Sequence, residues 1–172
     1  MKHLSLLLAA AGLAFAQTPD MKSASGYFRA TQMTLKNNIV KAAEKMPEES
    51  YGFRPSPDIR TFAQLIGHIA NASYNYCALG AGEKNPNAGK NIEKDATTKA
   101  DLVAALKASF DYCEKVYANL SDSQIGDTVK QGTNDRSKFG VLAFNNAHID
   151  EHYGNLVTYM RIRGLVPPSS EK

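Results

Sequence analysis

Residues 145–155 read NNAHIDEHYGN and hold two of the chain's four histidines, His148 and His152, with Asp150 and Glu151 between them. On an α-helix each residue advances about 100°, so His152 lies about 40° from His148 and the pair shares one face. Imidazoles four residues apart project side by side from such a face and can grip one metal ion. Val141 and Tyr159 fall on the same line, flanked by Asn145 and Asn155 within about 40°. Asp150 faces the far side, toward solvent, and Glu151 is turned about 80° from the pair. The apolar stripe of this segment, Leu142, Ile149, Leu156 and Met160, is centred about 105° from His148. The histidines therefore occupy the shoulder of the buried face.

An H-x-x-x-H spacing is weak evidence by itself, since most such pairs are structural or solvated. A third imidazole strengthens it. Apart from His3, the remaining histidine is His68, in TFAQLIGHIANASYNYC. The apolar stripe there (Phe62, Leu65, Ile66, Ile69, Ser73, Tyr76) is centred about 110° from His68, which also puts it on a shoulder. Three histidines at the core edges of two helices point to one shared pocket. The alternative is three separate imidazoles, each satisfied by local hydrogen bonds. A three-imidazole set would hold one divalent ion, Zn²⁺ or Ni²⁺, and keep a coordination position open, the pattern of a catalytic centre. Asn71, Asn75, Asn145, Asn155 and Tyr159 are the candidates for hydrogen bonds around that pocket. No catalytic residue beyond the ligands is assigned, because Glu151 is the nearest acid and its angle is poor for a general base. His148 to His152 also fits the H-x-x-E-H pattern of inverzincin metallopeptidases. Those enzymes need a further acidic ligand well downstream, and only 20 residues follow His152.

Four long helical segments must position these groups, and no strand-like alternation is evident. The first runs from about Asp20 to Met46 and stops at Pro47. PEESYGFRPSPD carries three prolines and reads as a connector. The Thr61 to Gln64 capping box opens the second segment, which runs to about Leu79. Residues 80–97 form a long loop, able to cross the end or side of a bundle. Thr98 to Asp101 reads as a second capping box, opening a third segment whose stripe is Leu102, Leu106, Ser109, Cys113, Val116 and Leu120. SDSQIGDTVKQGTNDRS reads as a short helical turn plus loop. The fourth segment spans about Ser137 to Gly164, closed by Gly164 and the prolines beyond it. The fold class is all-α, a four-helix bundle.

The chain has 172 residues, one domain's worth, and opens on MKHLSLLLAAAGLAFAQTPD. A basic start, a short apolar run and Ala14-Phe15-Ala16 read as a secretory signal cleaved after Ala16. The alternative is an uncleaved anchor, although the run is short for a bilayer span and no stable membrane insertion is expected. Removing residues 1–16 leaves a domain of residues 17–172 and lowers the net charge from +3 to +2 through loss of Lys2. That balance, with no basic run among aromatics, excludes nucleic acid as a partner. The protein is expected to be exported to the periplasm or the extracellular space. The two cysteines, Cys77 and Cys113, have neither zinc-knuckle nor C-x-x-C spacing.

Two stretches, MPEESYGFRPSPDIRTFAQLIGHIANASYNYC and FGVLAFNNAHIDEHYGNLVTYMRIRGLVPPSS, resemble the DinB-like family of small bacterial proteins. The strongest pieces are R-T-F-x-x-L-x-x-H-I entering the second helix, and H-x-x-x-H followed by R-x-x-G-x-x-P-P in the fourth. The resemblance covers essentially all of residues 17–172. It implies an up-down-down-up bundle, one divalent metal held by His68, His148 and His152, and frequent pairing as homodimers. The better-understood relatives are thiol-dependent transferases or isomerases. In that order the second and third long helices run parallel, and Cys77 and Cys113 lie at similar heights. A disulfide between them is then allowed, with free buried thiols as the alternative. The expected function is that of a metal-dependent hydrolase or transferase acting on a small molecule not readable from the chain. The competing expectation is a non-catalytic metal-binding or oligomeric bundle.

Overall fold

The computed structural model describes residues 18–171, so the expected signal segment lies outside the described residues. Five α-helices are present among them: α1 (Ala24–Lys45), α2 (Phe62–Ala81), the one-turn α3 (Ile92–Asp95), α4 (Lys99–Ala118) and α5 (Lys138–Ile162). Each long helix starts at a hydroxyl cap. Ser23, Thr61, Thr98 and Ser137 accept hydrogen bonds from the backbone N–H groups of Gly26, Gln64, Asp101 and Gly140. These satisfy donors that a helix start leaves unpaired. At Thr61 the Gln64 side chain completes the reciprocal box. At Thr98 the Asp101 carboxylate instead accepts from the threonine hydroxyl, so only half of the expected box forms. Helix α1 begins after Asp20 because residues 20–23 make a turn first, with Ser23 N–H bonded to the Asp20 carbonyl.

The helix directions follow from which ends meet. Lys99, at the start of α4, donates to the Met46 carbonyl beyond the end of α1, so these two are antiparallel. Asn146, early in α5, bonds the Phe28 carbonyl early in α1, and Lys45, at the end of α1, bonds the Val166 carbonyl beyond α5. Those two are parallel. Tyr159, late in α5, donates to the Arg60 carbonyl just ahead of α2, while Tyr76, late in α2, packs edge-on against Phe144, early in α5. The order is up-down-down-up, and the crossover of residues 82–98 lets α2 and α4 run the same way.

The core is one stripe from each long helix, including Ile39 and Met46, Phe62 and Ile66, Leu106 and Phe110, Ile149 and Leu156, all fully buried. Helix α2 is covered on two sides, by α4 and by α5, and eleven of its residues are buried. A disulfide joins the fully buried Cys77 of α2 to Cys113 of α4, with Cα atoms 5.3 Å apart.

One expectation is corrected. Residues 128–137 are not loop but an antiparallel hairpin, β1 (Thr128–Gln131) paired with β2 (Asn134–Ser137). Gly132 opens its two-residue turn at φ 61°, a conformation open to glycine and suited to a tight hairpin. Both strands are polar except for Val129, the one buried residue, so no hydrophobic alternation marked them.

Candidate metal centre

Helix α2 carries His68 on the side facing α5, and α5 carries His148 and His152 one turn apart. Because the two helices are antiparallel neighbours, the three rings meet. Nε2 of His148 stands 3.2 Å from Nε2 of His68 and 3.1 Å from Nε2 of His152. Ligating atoms of all three lie within 4.8 Å of one another. A tetrahedral ion with metal–nitrogen bonds of about 2.0–2.1 Å separates its ligands by roughly 3.3 Å, so the spacing fits one ion.

Protons alone cannot satisfy this arrangement. A hydrogen bond between two imidazole nitrogens needs one N–H and one lone pair, and His148 Nε2 offers one or the other. It faces two neighbours and can serve one. A cation at the centre would accept a lone pair from each ring. Burial is the main force keeping all three rings below the ordinary histidine pKa. His152, only 8% exposed, is lowered to about 4, with the charges of His148, His68 and Arg60 pushing the same way. Neutral rings have their lone pairs available at neutral pH.

The outer nitrogens differ. His68 Nδ1 lies 3.6 Å from Glu93 Oε2, an electrostatic contact longer than a hydrogen bond. The amide nitrogen of Asn155 lies 3.2 Å from His152 Nδ1. A His152 ligating through Nε2 carries its proton on Nδ1, and the amide rotated about its last torsion presents oxygen to it. His148 Nδ1 is buried without a hydrogen-bond partner among the described residues. That ring is flanked by Tyr76 and Phe144, at centroid distances of 5.9 and 6.1 Å.

A cleft of about 610 Å³ opens beside the cluster, lined by His152, Asn155, Tyr159, Glu93 and Glu151 with Arg54 and Arg60. The residues singled out around the pocket divide. Asn155 touches a ligand ring. Tyr159 lines the cleft, with its hydroxyl engaged by the Arg60 carbonyl at 2.7 Å. Asn145 is buried, its amide nitrogen 3.2 Å from the Tyr117 hydroxyl and 3.7 Å from Cys77 Sγ. Asn71 holds the crossover instead: its Oδ1 accepts from Ile92 N–H at 3.0 Å. Asn75 is exposed and makes none of the hydrogen bonds to the imidazoles. Of the five asparagine and tyrosine candidates, Asn155 is the one with a polar contact to an imidazole among the described residues. Glu93 and Arg60 escaped the sequence reading. Glu93 belongs to a one-turn helix inside a loop, where no periodicity exists to place it.

The sequence model described as the DinB superfamily matches residues 33–156. The chain belongs to the DinB superfamily. Solved structures similar to this chain agree in fold. A DinB-like protein of Bacillus subtilis, YjoA, is 19% identical with a TM-score of 0.68, the match covering 85% of this chain and 99% of that one. A DinB-like protein of Bacillus cereus is 15% identical with a TM-score of 0.70, covering 87% and 98%. A conserved protein from Enterococcus faecalis is 13% identical with a TM-score of 0.65, covering 80% and 95%. No curated protein matches the chain.

Proposed function

We propose that this DinB superfamily member holds one divalent metal, Zn²⁺ or Ni²⁺, on His68, His148 and His152, and works outside the cytosol as a metal-dependent hydrolase or transferase on a small molecule. The observation that carries the reading is the meeting of three Nε2 atoms that hydrogen bonding cannot jointly satisfy. A bound divalent ion would supply Lewis acidity, which polarises a carbonyl or thiol. The chain's own residues supply the rest. Asn155 orients His152. Arg54 and Arg60 line the cleft as guanidinium groups that can receive an anionic part of a substrate. Glu151 and Asp58, on the same cleft, are carboxylates available for proton transfer. Export separates the protein from the thiol-rich cytosol, which favours hydrolysis over thiol transfer. The Cys77–Cys113 disulfide is compatible with that compartment.

The test is metal content by elemental analysis of residues 17–172, purified without a histidine tag, beside His148→Ala and His152→Ala. Near one equivalent in the parent, lost in both variants, is expected. A parent without metal that neither Zn²⁺ nor Ni²⁺ restores would sink the reading and leave three histidines on an ordinary bundle.

A further inference from the structure

The crossover between α2 and α4 reaches the cluster at one point. Its single turn, α3, lies against α2 so closely that a Cβ on Gly67 would stand 2.5 Å from the Glu93 Cα and 2.8 Å from its nitrogen. Gly67 immediately precedes His68. Only a residue without a side chain allows this approach. The turn is tied down from the same helix face one turn on. Asn71 accepts from Ile92 N–H and from the Asn87 amide, and donates to Asn91 Oδ1 at 2.9 Å. Ile92 is buried beneath the turn. The side chain delivered by this construction is Glu93. One of its oxygens is held by Arg60 Nε at 3.0 Å, and the other faces Nδ1 of His68 at 3.6 Å.

We propose that Glu93 is a positioning residue for the metal centre: it accepts a hydrogen bond from Nδ1–H of His68 and so fixes the ring with Nε2 toward the ion, and Gly67 and Asn71 bring it there. The inference rests on the metal reading above. Glu93 lies across the imidazole from the ligating nitrogens, so it acts through His68. Carboxylates in that place orient a metal-ligating imidazole and raise its basicity. With a cation on Nε2, Nδ1–H would be a stronger donor toward Oε2, which lies 3.6 Å away.

The test measures Zn²⁺ and Ni²⁺ affinity by competition with a chromophoric chelator, on residues 17–172 with the disulfide intact. Glu93→Ala is expected to weaken binding about 10- to 100-fold. Glu93→Gln, which keeps an oxygen for the Nδ1 proton, recovers most of that loss. Gly67→Ala, which replaces no ligand side chain, pushes α3 away and loses about as much as Glu93→Ala. The double variant loses no more than either alone, because both remove one contact. Thermal melting of the metal-free variants separates this from misfolding. A parent that binds no metal refutes the metal reading itself. A parent that binds, with Glu93→Ala at parental affinity, overturns this inference alone. So does a fully additive double variant, which would mean that the turn supports the centre by some route other than Glu93.

Discussion

His148 is the residue on which the centre turns, because its Nε2 stands between two others and can satisfy one by hydrogen bonding. The cost of that geometry without metal depends on protons. Burial holds His68, His148 and His152 below their ordinary pKa, His152 at about 4. The unfolded chain titrates near 6.5. Between these values the unfolded chain binds more protons, so the stability of the metal-free protein rises with pH. Chelator-treated protein is therefore expected to keep its full melting temperature above about pH 6.5 and to lose part of it as the pH falls toward about 4. His152→Gln should flatten that slope. A melting temperature in the parent that does not change across this window would contradict the burial of neutral rings. In the loaded protein the same protons compete with the ion, so acid also releases metal.

At the scale of elements, the site depends on α2 being gripped from both sides. On one side α5 brings two imidazoles to His68. On the other, the Cys77–Cys113 disulfide fixes α2 to α4 in the cluster of Tyr117 and Leu142. The closed loop carries the crossover with Glu93. Such a cross-link restricts the unfolded chain, and replacing both cysteines by alanine is expected to lower stability by about 2–4 kcal/mol. Urea unfolding of the two proteins measures it. Metal stoichiometry should not change, because neither sulfur is among the ligating atoms. Equal stability of the two proteins would mean that the helices are held without the covalent bond. Sequence periodicity located α2 and α5 because each has turns enough to show an apolar stripe. It did not locate α3, with four residues, or the hairpin, whose only buried side chain is Val129.

For the molecule as a whole, export and pairing are proposals with a common test. The species recovered from periplasmic or culture fractions is expected to begin near Gln17, to be lighter than the reduced chain by two hydrogens, and to have the mass of a homodimer. N-terminal sequencing, intact mass and light scattering read these in turn. An intact Met1 in the membrane fraction would instead support the anchor. Among the described residues no helix is long and apolar enough to cross a membrane.

The sequence by itself determined the four long helices, the hydroxyl caps at Thr61 and Thr98 and the shoulder positions of His68, His148 and His152, because helical period and capping are local properties read within a few residues. The surroundings of Asn71 and Asn75 are not local in this sense. Both share a helix face with His68, but angle alone does not say what covers that face. The crossover covers Asn71, whereas Asn75 remains exposed. Only the tertiary structure decided that the imidazoles share one point and that Glu93, twenty-five residues after His68, stands behind it. Those contacts come from the antiparallel packing of α2 on α5 and from the space left at Gly67, and neither leaves a period in the chain.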